Sequence, residues 1–414
     1  MASTTDAVLA FIAATVIAWL LVPPAERLAR RVGAIDYPRD RGLHDAPTPR
    51  LSGLAILVAV EISGWIWLPA DGETRSILLG AAAIAVVGVL DDVYDLPALP
   101  KFAGQTAAAL IPVLGGVRVD ALTLPFVGGF DLGWVAYPAT VLGIVAVVNV
   151  TNFIDGVDGL AAGVCAIAAL ALAIIALSLD RNAAGVLAAL TAGSALGFLR
   201  HGFPPASSFM GDTGSNLLGY LLAIAAVQGA LKTNAVVALA FPLVVLAVPI
   251  LDTGFVVAKR LKYRRPIYQA DRSHFHHRMA NIGFSQRRTL AYLYGWTLVL
   301  AGLALALRFV PYSDNHGHFD FGWTLVMVVC GLFALAASIY LVYLLEILKL
   351  RRLRLRQLGG IRRAAGRPVP NPEMIDRGVA AELETGTFPA ADPETGEFEA
   401  LGPEPLDPRS GADP

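Results

Sequence analysis

Apolar blocks of about twenty residues recur along most of the 414-residue chain. An α-helix needs roughly 20 apolar residues to cross a bilayer core about 30 Å thick. Charged residues make up only 16% of the sequence, whereas soluble domains carry roughly a quarter. The pattern excludes a water-soluble protein and predicts an all-α fold, that of a polytopic integral membrane protein.

Eleven apolar segments are predicted to be transmembrane helices, because backbone polar groups in lipid must be satisfied within each segment. No basic stretch precedes the first segment and no small-residue cleavage site follows it, so it is not predicted to be a cleavable signal peptide. The segments are 6–22, 51–70, 75–90, 102–117, 134–151, 159–179, 183–199, 213–231, 235–258, 289–310 and 323–348.

Lysine and arginine are distributed unevenly between the two sides of these segments. Counted as far as Arg367, the side that follows the odd-numbered segments holds 25 of them and the other side holds 5. Because positively charged loops stay in the cytoplasm, the N-terminus is predicted to lie outside and the C-terminus inside. The net charge of −1, without a basic stripe, predicts no nucleic-acid partner.

The composition divides the chain into a membrane domain, 1–350, and a cytoplasmic tail, 351–414. The tail is first basic and then acidic, and it is rich in proline and glycine. It has too little apolar surface to offset the entropy lost on ordering, so it is predicted to be disordered.

Five polar clusters interrupt the apolar pattern, and all of them fall on the predicted cytoplasmic side. Chance would scatter such clusters over both sides, so one cytoplasmic site built from several loops is predicted. The clusters are GLHDAPTPR (42–50), DDVYD (91–95) leading to Lys101, NVTNFIDGVDG (149–159), FMGDTGS (209–215) and RSHFHHRM (272–279).

The acidic clusters indicate a divalent cation. Asp91 and Asp92 repel each other unless a cation or a shared proton separates them, although a hydrated helix end would also carry acids. Asn149, Asn152 and Asp155 are spaced by three, which stacks them on one helix face. These oxygen ligands suit Mg²⁺, with Mn²⁺ as the alternative.

Two further clusters indicate anion binding. The start of the helix after FMGDTGS would present backbone N–H groups as a phosphate cradle, with Asp212 holding a cation against the phosphate. In RSHFHHRM, three histidines would allow a zinc site, but the flanking arginines favour a diphosphate. Together the clusters predict phosphoryl transfer between one lipid and one water-soluble substrate.

The chain resembles the polyprenyl-phosphate N-acetylhexosamine-1-phosphate transferases, glycosyltransferase family 4, over residues 1–350. Within that family it is similar to the bacterial undecaprenyl- and decaprenyl-phosphate GlcNAc-1-phosphate transferases that start O-antigen, teichoic-acid or arabinogalactan-linker synthesis. The motifs that carry the resemblance occur in this order: GVLDDVYDLPALPKFAGQ (88–105), NVTNFIDGVDGLAAG (149–163), FMGDTGSNLLG (209–219), PILDT (249–253) and HFHHRM (274–279).

The resemblance implies that the protein transfers GlcNAc-1-phosphate from UDP-GlcNAc to polyprenyl phosphate, with Mg²⁺, at the cytoplasmic face of a bacterial inner or plasma membrane. With Asp91 as the candidate base, direct attack by the lipid phosphate is favoured over the alternative, a covalent aspartyl intermediate, because metal and base can be supplied without one. The resemblance also implies a homodimer, although no sequence feature indicates an interface. The implied catalytic residues are Asp91, Asp92, Asp155 and Asp158; the substrate-binding residues are His44, Lys101, Asn149, Asn152, His274, His276, His277 and Arg278; the metal ligands are Asp212 and Asn152.

The sequence departs from the family at two informative places. Relatives tend to have RKxH where this chain has Arg41-Gly42-Leu43-His44, and Tyr-Asn where it has His201-Gly202. Two alternatives to the implied function stay open. The nearest is a phospho-MurNAc-pentapeptide transferase. An ion-coupled transporter would need mid-membrane charges and an inverted repeat, but Glu61 is the one mid-span acid and no repeat is evident.

Overall fold

The computed structural model describes residues 3–37, 47–124, 128–230, 285–311 and 320–336, with isolated positions at 250, 254, 338 and 339. The chain divides into two units, 1–269 with 285–335, and 270–284 with 336–414. The second unit falls almost wholly outside the described residues. The predictions for the segment 235–258, the histidine cluster and the tail lie outside them too.

The described part of the first unit is a helical bundle. Its apolar helices, numbered in chain order, are α1 Thr4–Val32, α2 Gly53–Trp67, α3 Gly72–Tyr94, α4 Ala98–Leu114, α5 Ala136–Ile154, α6 Leu160–Ser178, α7 Asn182–Gly202, α8 Gly211–Ala230 and α9 Gln286–Phe309. A further apolar helix, α10 (Phe321–Ala336), follows them in the chain.

Six candidate spans are long and apolar enough to cross a membrane, so the multi-pass prediction is confirmed in its coarse form. They are Thr4–Val32, Gly72–Tyr94, Gly133–Ile154, Leu160–Ser178, Asn182–Gly202 and Gln286–Phe309. Helices α2 and α4 have only 15 and 17 residues, shorter than a full crossing of about 20 residues requires. The number of eleven transmembrane helices and the placement of the two termini relative to the membrane stay predictions.

Two short antiparallel ribbons, which the sequence analysis did not anticipate, occupy loops. Strands β1 (Ile35–Asp36) and β2 (Thr48–Pro49) pair after α1, and β3 (Ala121–Leu124) and β4 (Gly128–Asp131) pair after α4. Each ribbon satisfies backbone groups where the chain has left a helix.

Helix α1 extends beyond its predicted end at residue 22 and reaches Val32, with Pro23 and Pro24 inside it. Its buried face is a stripe of alanines that packs on α7. On α7, Gly193 and Gly197 bring the backbones so close that a Cβ at either position would overlap α1 main-chain atoms. Small residues are what allow such close contact between membrane helices.

Helix α8 lies at the centre of the bundle and contacts α2, α3, α5, α6 and α7. Its side chains from Leu217 to Leu222, Tyr220 included, are almost completely buried. The start of α8 is packed against backbone: a Cβ on Gly88 of α3 would lie 2.6 Å from the carbonyl oxygen of Asp212. The position of α8 therefore depends on glycines in its neighbours.

Gly88→Ala is expected to destabilise the protein by about 1–3 kcal/mol, because the added methyl group overpacks the contact with α8. Gly143→Ala on α5 is the matched control, since a Cβ there meets no atom within 4 Å. That variant should be neutral or slightly stabilising, by up to about 1 kcal/mol. Thermal unfolding in detergent measures both; a Gly88→Ala protein as stable as the control would contradict the packing argument.

Candidate active site

Four helices bring their polar ends together at one place in the bundle. Helix α3 ends there with Asp91 and Asp92, α4 begins with Lys101 on its first turn, α5 ends with Asn152, and α8 begins with Asp212. Helix ends meet in this way because consecutive helices run in opposite directions.

Lys101 connects two carboxylates of this group. Its Nζ donates a hydrogen bond to Asp91 Oδ2 at 2.7 Å and a second one to Asp212 Oδ2. The other oxygen of Asp212 accepts from Asn152 Nδ2, which also contacts Ser215 Oγ at 3.0 Å. We call Asp91, Lys101, Asn152 and Asp212 the Lys101 cluster; it assembles the predicted base, the phosphate-neutralising lysine and the predicted metal ligands.

Asp92 points away from the Lys101 cluster and caps helix α8. Its Oδ1 accepts the backbone N–H of Asp212 at 2.8 Å, and its Oδ2 accepts both the N–H and the hydroxyl of Thr213, at 3.0 and 2.7 Å. A carboxylate at a helix N-terminus satisfies orphan donors and complements the helix dipole. Asp92 is 4% exposed, so this cap is part of the interior.

The structure does not support the predicted phosphate cradle at three of the backbone N–H groups that begin α8. The N–H groups of Asp212 and Thr213 donate to Asp92, and the N–H of Gly214 donates to the carbonyl of Met210. The physical reason is that the carboxylate of Asp92, on α3, already accepts hydrogen bonds from this helix start.

The loop between α5 and α6 holds Asp155 and Asp158 beside this helix start. Asp158 Oδ2 accepts the N–H of Ala206 at 3.1 Å, which ties the loop to the segment that precedes α8. Asp155 is partly exposed as a residue, but its carboxyl group is surrounded by protein. This burial, and next the negative charges of Asp92 and Asp158, raise the pKa of Asp155 to about 8.

The segment that follows the β1–β2 ribbon connects the start of α2 to the segment that precedes α8. Ser52 Oγ lies 2.5 Å from Ser208 Oγ, and the N–H groups of Ser52 and Gly53 donate to the carbonyls of Phe209 and Met210. The side chain of Arg50 donates to the carbonyl of Asp92 at 3.2 Å. Arg50 was not among the predicted site residues; the signal that could have found it is its place in the polar cluster 42–50.

The structure places the remaining predicted residues in two groups. Asn149 lies on α5 one turn from Asn152 and donates to Gln105 rather than to the Lys101 cluster. His44, His274, His276, His277 and Arg278 lie outside the described residues. Gln105 and Asn216 were missed as site residues, although a polar residue inside an apolar span is a functional signal in a membrane helix.

The donors of the Lys101 cluster fit Mg²⁺. Among the described residues no group of three or more His, Cys, Asp or Glu side chains could hold a metal, but Mg²⁺ is usually bound by one or two carboxylates and several waters. Asp91 and Asp212 face a single positive charge, the Lys101 ammonium. The carboxylates of Asp91 and Asp212 and the amide of Asn152 could supply oxygen ligands of the kind that Mg²⁺ prefers.

Comparison with known proteins identifies the family. The pattern of Glycosyl transferase family 4 matches residues 74–230, which span helices α3 to α8. The probable undecaprenyl-phosphate N-acetylglucosaminyl 1-phosphate transferase of Bacillus subtilis is 40% identical over 303 residues, covering 72% of this chain and 84% of that protein. The chain belongs to glycosyl transferase family 4.

Two further relatives extend the comparison. The decaprenyl-phosphate N-acetylglucosaminephosphotransferase of Mycobacterium tuberculosis is 35% identical over 331 residues, 72% of this chain and 82% of that protein. The phospho-N-acetylmuramoyl-pentapeptide-transferase of Moorella thermoacetica is 30% identical over 322 residues, 73% of this chain and 98% of that protein. The resemblance drawn from the motifs is confirmed, and the family's matched region contains the whole Lys101 cluster.

Proposed function

We propose that the protein transfers GlcNAc-1-phosphate from UDP-GlcNAc to polyprenyl phosphate, giving polyprenyl-diphospho-GlcNAc and UMP. The observation that carries the proposal is the Lys101 cluster, in which one lysine contacts two carboxylates from different helices. Relatives named for this activity, at 35–40% identity, support it over the pentapeptide transferase, at 30%.

In the proposed reaction, an oxygen of the lipid phosphate attacks the sugar-bearing phosphorus of the nucleotide sugar. The bond from that phosphorus to the bridging oxygen breaks, and UMP leaves with the bonding electrons. Asp91 accepts the proton of the lipid phosphate: its two oxygens already accept from Lys101 and from the N–H of Leu96, but a carboxylate has four lone-pair sites. Lys101 neutralises phosphate charge.

Asp212 and Asn152 would hold Mg²⁺, which when bound neutralises charge that develops on the phosphate oxygens. Asp155 and Asp158 are proposed to line the nucleotide-sugar pocket, beside the start of α8. We place the site at the cytoplasmic face of a bacterial inner membrane, as the lysine and arginine distribution indicates. The homodimer stays a prediction.

Release of UMP by the purified protein tests the proposal. The protein is supplied with Mg²⁺, polyprenyl phosphate and either UDP-GlcNAc or UDP-MurNAc-pentapeptide. We expect UMP from UDP-GlcNAc, and none when either Mg²⁺ or the lipid is omitted. UMP from the pentapeptide substrate alone would keep the reaction class but overturn the sugar, and no UMP from either in folded protein would overturn the proposal.

A further inference from the structure

A second polar layer lies beneath the Lys101 cluster, toward the middle of the bundle. Gln105 follows Lys101 by four residues on α4, Asn149 precedes Asn152 by three on α5, and Asn216 follows Asp212 by four on α8. Each is one helical turn, about 4.5–6 Å, deeper than its partner in the cluster. We call Gln105, Asn149 and Asn216 the amide layer.

The amide layer joins three helices by side-chain contacts. Asn149 Nδ2 donates to Gln105 Oε1 at 2.8 Å, and Gln105 Nε2 donates to Asn216 Oδ1 at 3.4 Å. Gln105 is 1% exposed and Asn216 is fully buried. The layer therefore connects α4, α5 and α8, the same three helices that carry Lys101, Asn152 and Asp212.

Packing alone does not account for this layer. Buried amides in an apolar bundle are unfavourable unless they are paired, and Asn216 Nδ2 has no partner among the described residues. Two buried hydroxyls in the bundle behave differently: those of Thr140 and Thr191 donate to the carbonyl one turn earlier in their own helix. Gln105 and Asn216 instead contact each other across a helix boundary.

We infer that Gln105 and Asn216 are positioning residues for the proposed transfer, because they fix α4 and α8 so that Lys101 and Asp212 stay in contact. The inference rests on the proposed function. Neither residue touches a reacting atom; they act through the Lys101 cluster one turn away. A relative shift of these helices by 1 Å would separate the ammonium from one of its carboxylates, and misplacement of that size can lower a rate about 100-fold.

Replacement of both amides by apolar residues tests the inference. Gln105→Met with Asn216→Leu removes both partners of the contact at once, a change that can be nearly neutral for stability. The single variant Gln105→Met and the control Thr191→Val are measured beside it. Readouts are the unfolding temperature, kcat and KM for UDP-GlcNAc, the Mg²⁺ concentration at half-maximal rate, and the rise in unfolding temperature that Mg²⁺ causes without substrate.

We expect the double variant to be folded, with kcat lowered about 30-fold, KM changed by less than about 3-fold, and a Mg²⁺ midpoint raised about 5-fold. Thr191→Val should stay within about 2-fold of the wild type in every readout. A folded double variant with wild-type kcat and Mg²⁺ midpoint would overturn the inference. So would a double variant too unstable to purify, since the layer would then serve folding alone.

Failure of the proposed function would look different, because the wild type itself would release no UMP. In that case the rise in unfolding temperature that Mg²⁺ causes is the test of the positioning inference. A rise in the wild type that is reduced in the double variant would support positioning of the metal ligands. An equal rise in both proteins, or none in the wild type, would overturn the inference as well.

Discussion

Asp212→Asn is expected to lower the rate of UMP release on the order of 1,000-fold, at saturating substrates and Mg²⁺, which corresponds to about 4 kcal/mol. Asp212 is the carboxylate that contacts both Lys101 and Asn152. Asparagine has the same shape and keeps one acceptor oxygen, but it loses the negative charge that a divalent cation needs. The fold should survive, because Asp92, not the side chain of Asp212, caps α8.

The matched control for this change is Asp95→Asn, another aspartate at the end of α3. Its side chain is 77% exposed and pairs with Arg50 at 2.9 Å, a surface contact worth less than about 1 kcal/mol. Its backbone is left-handed, with φ of 48°, which asparagine adopts readily. UMP release should change by less than about 3-fold in this variant.

Two results of the rate measurement would count against the role of Asp212. One is an Asp212→Asn protein that keeps more than a tenth of the wild-type rate at saturating Mg²⁺. The other is an equal loss in Asp95→Asn, which would mean that any charge removed near the end of α3 has the same effect. Titration with Mg²⁺ establishes that the ion is saturating for each protein, and the loss in Asp212→Asn should persist at saturation.

The membrane helices and the members of the Lys101 cluster were predictable because each has a local signal. Hydropathy over twenty residues identifies a span, and clustered polar residues between spans mark where a site lies. Those signals placed Asp91, Lys101, Asn152 and Asp212 on one side before any contact was known. The structure brings all four together.

Roles within the site depend on helix rotation and depth, which the sequence does not encode locally. Asp91 and Asp92 are adjacent, so they point about 100° apart on a helix; one contacts Lys101 and the other caps α8. The predicted stacking of Asn149, Asn152 and Asp155 on one helix face holds only for the two asparagines, because α5 ends at Ile154 and Asp155 lies just beyond it. The two asparagines lie one turn apart in depth. That turn places Asn149 against Gln105 and Asn152 against Asp212.

Asp92→Asn is expected to lower the unfolding temperature by about 2–5 °C, through a loss of about 2–3 kcal/mol. One amide nitrogen would replace an oxygen that now accepts from the N–H groups of α8 or from the Thr213 hydroxyl. Donor would then face donor in a site that is 4% exposed. Because Asp212 lies on the same first turn of α8, UMP release should fall together with stability.

Thr213→Val provides a graded companion to Asp92→Asn. It removes the hydroxyl that donates to Asp92 Oδ2 at 2.7 Å and leaves both backbone N–H contacts in place. The loss should be about 1 kcal/mol, or about 1–2 °C. If Asp92 served only as a proton acceptor in the reaction, Asp92→Asn would abolish UMP release at an unchanged unfolding temperature, and Thr213→Val would leave stability unchanged. Thermal unfolding of the three proteins in one detergent therefore distinguishes a structural cap from a chemical base.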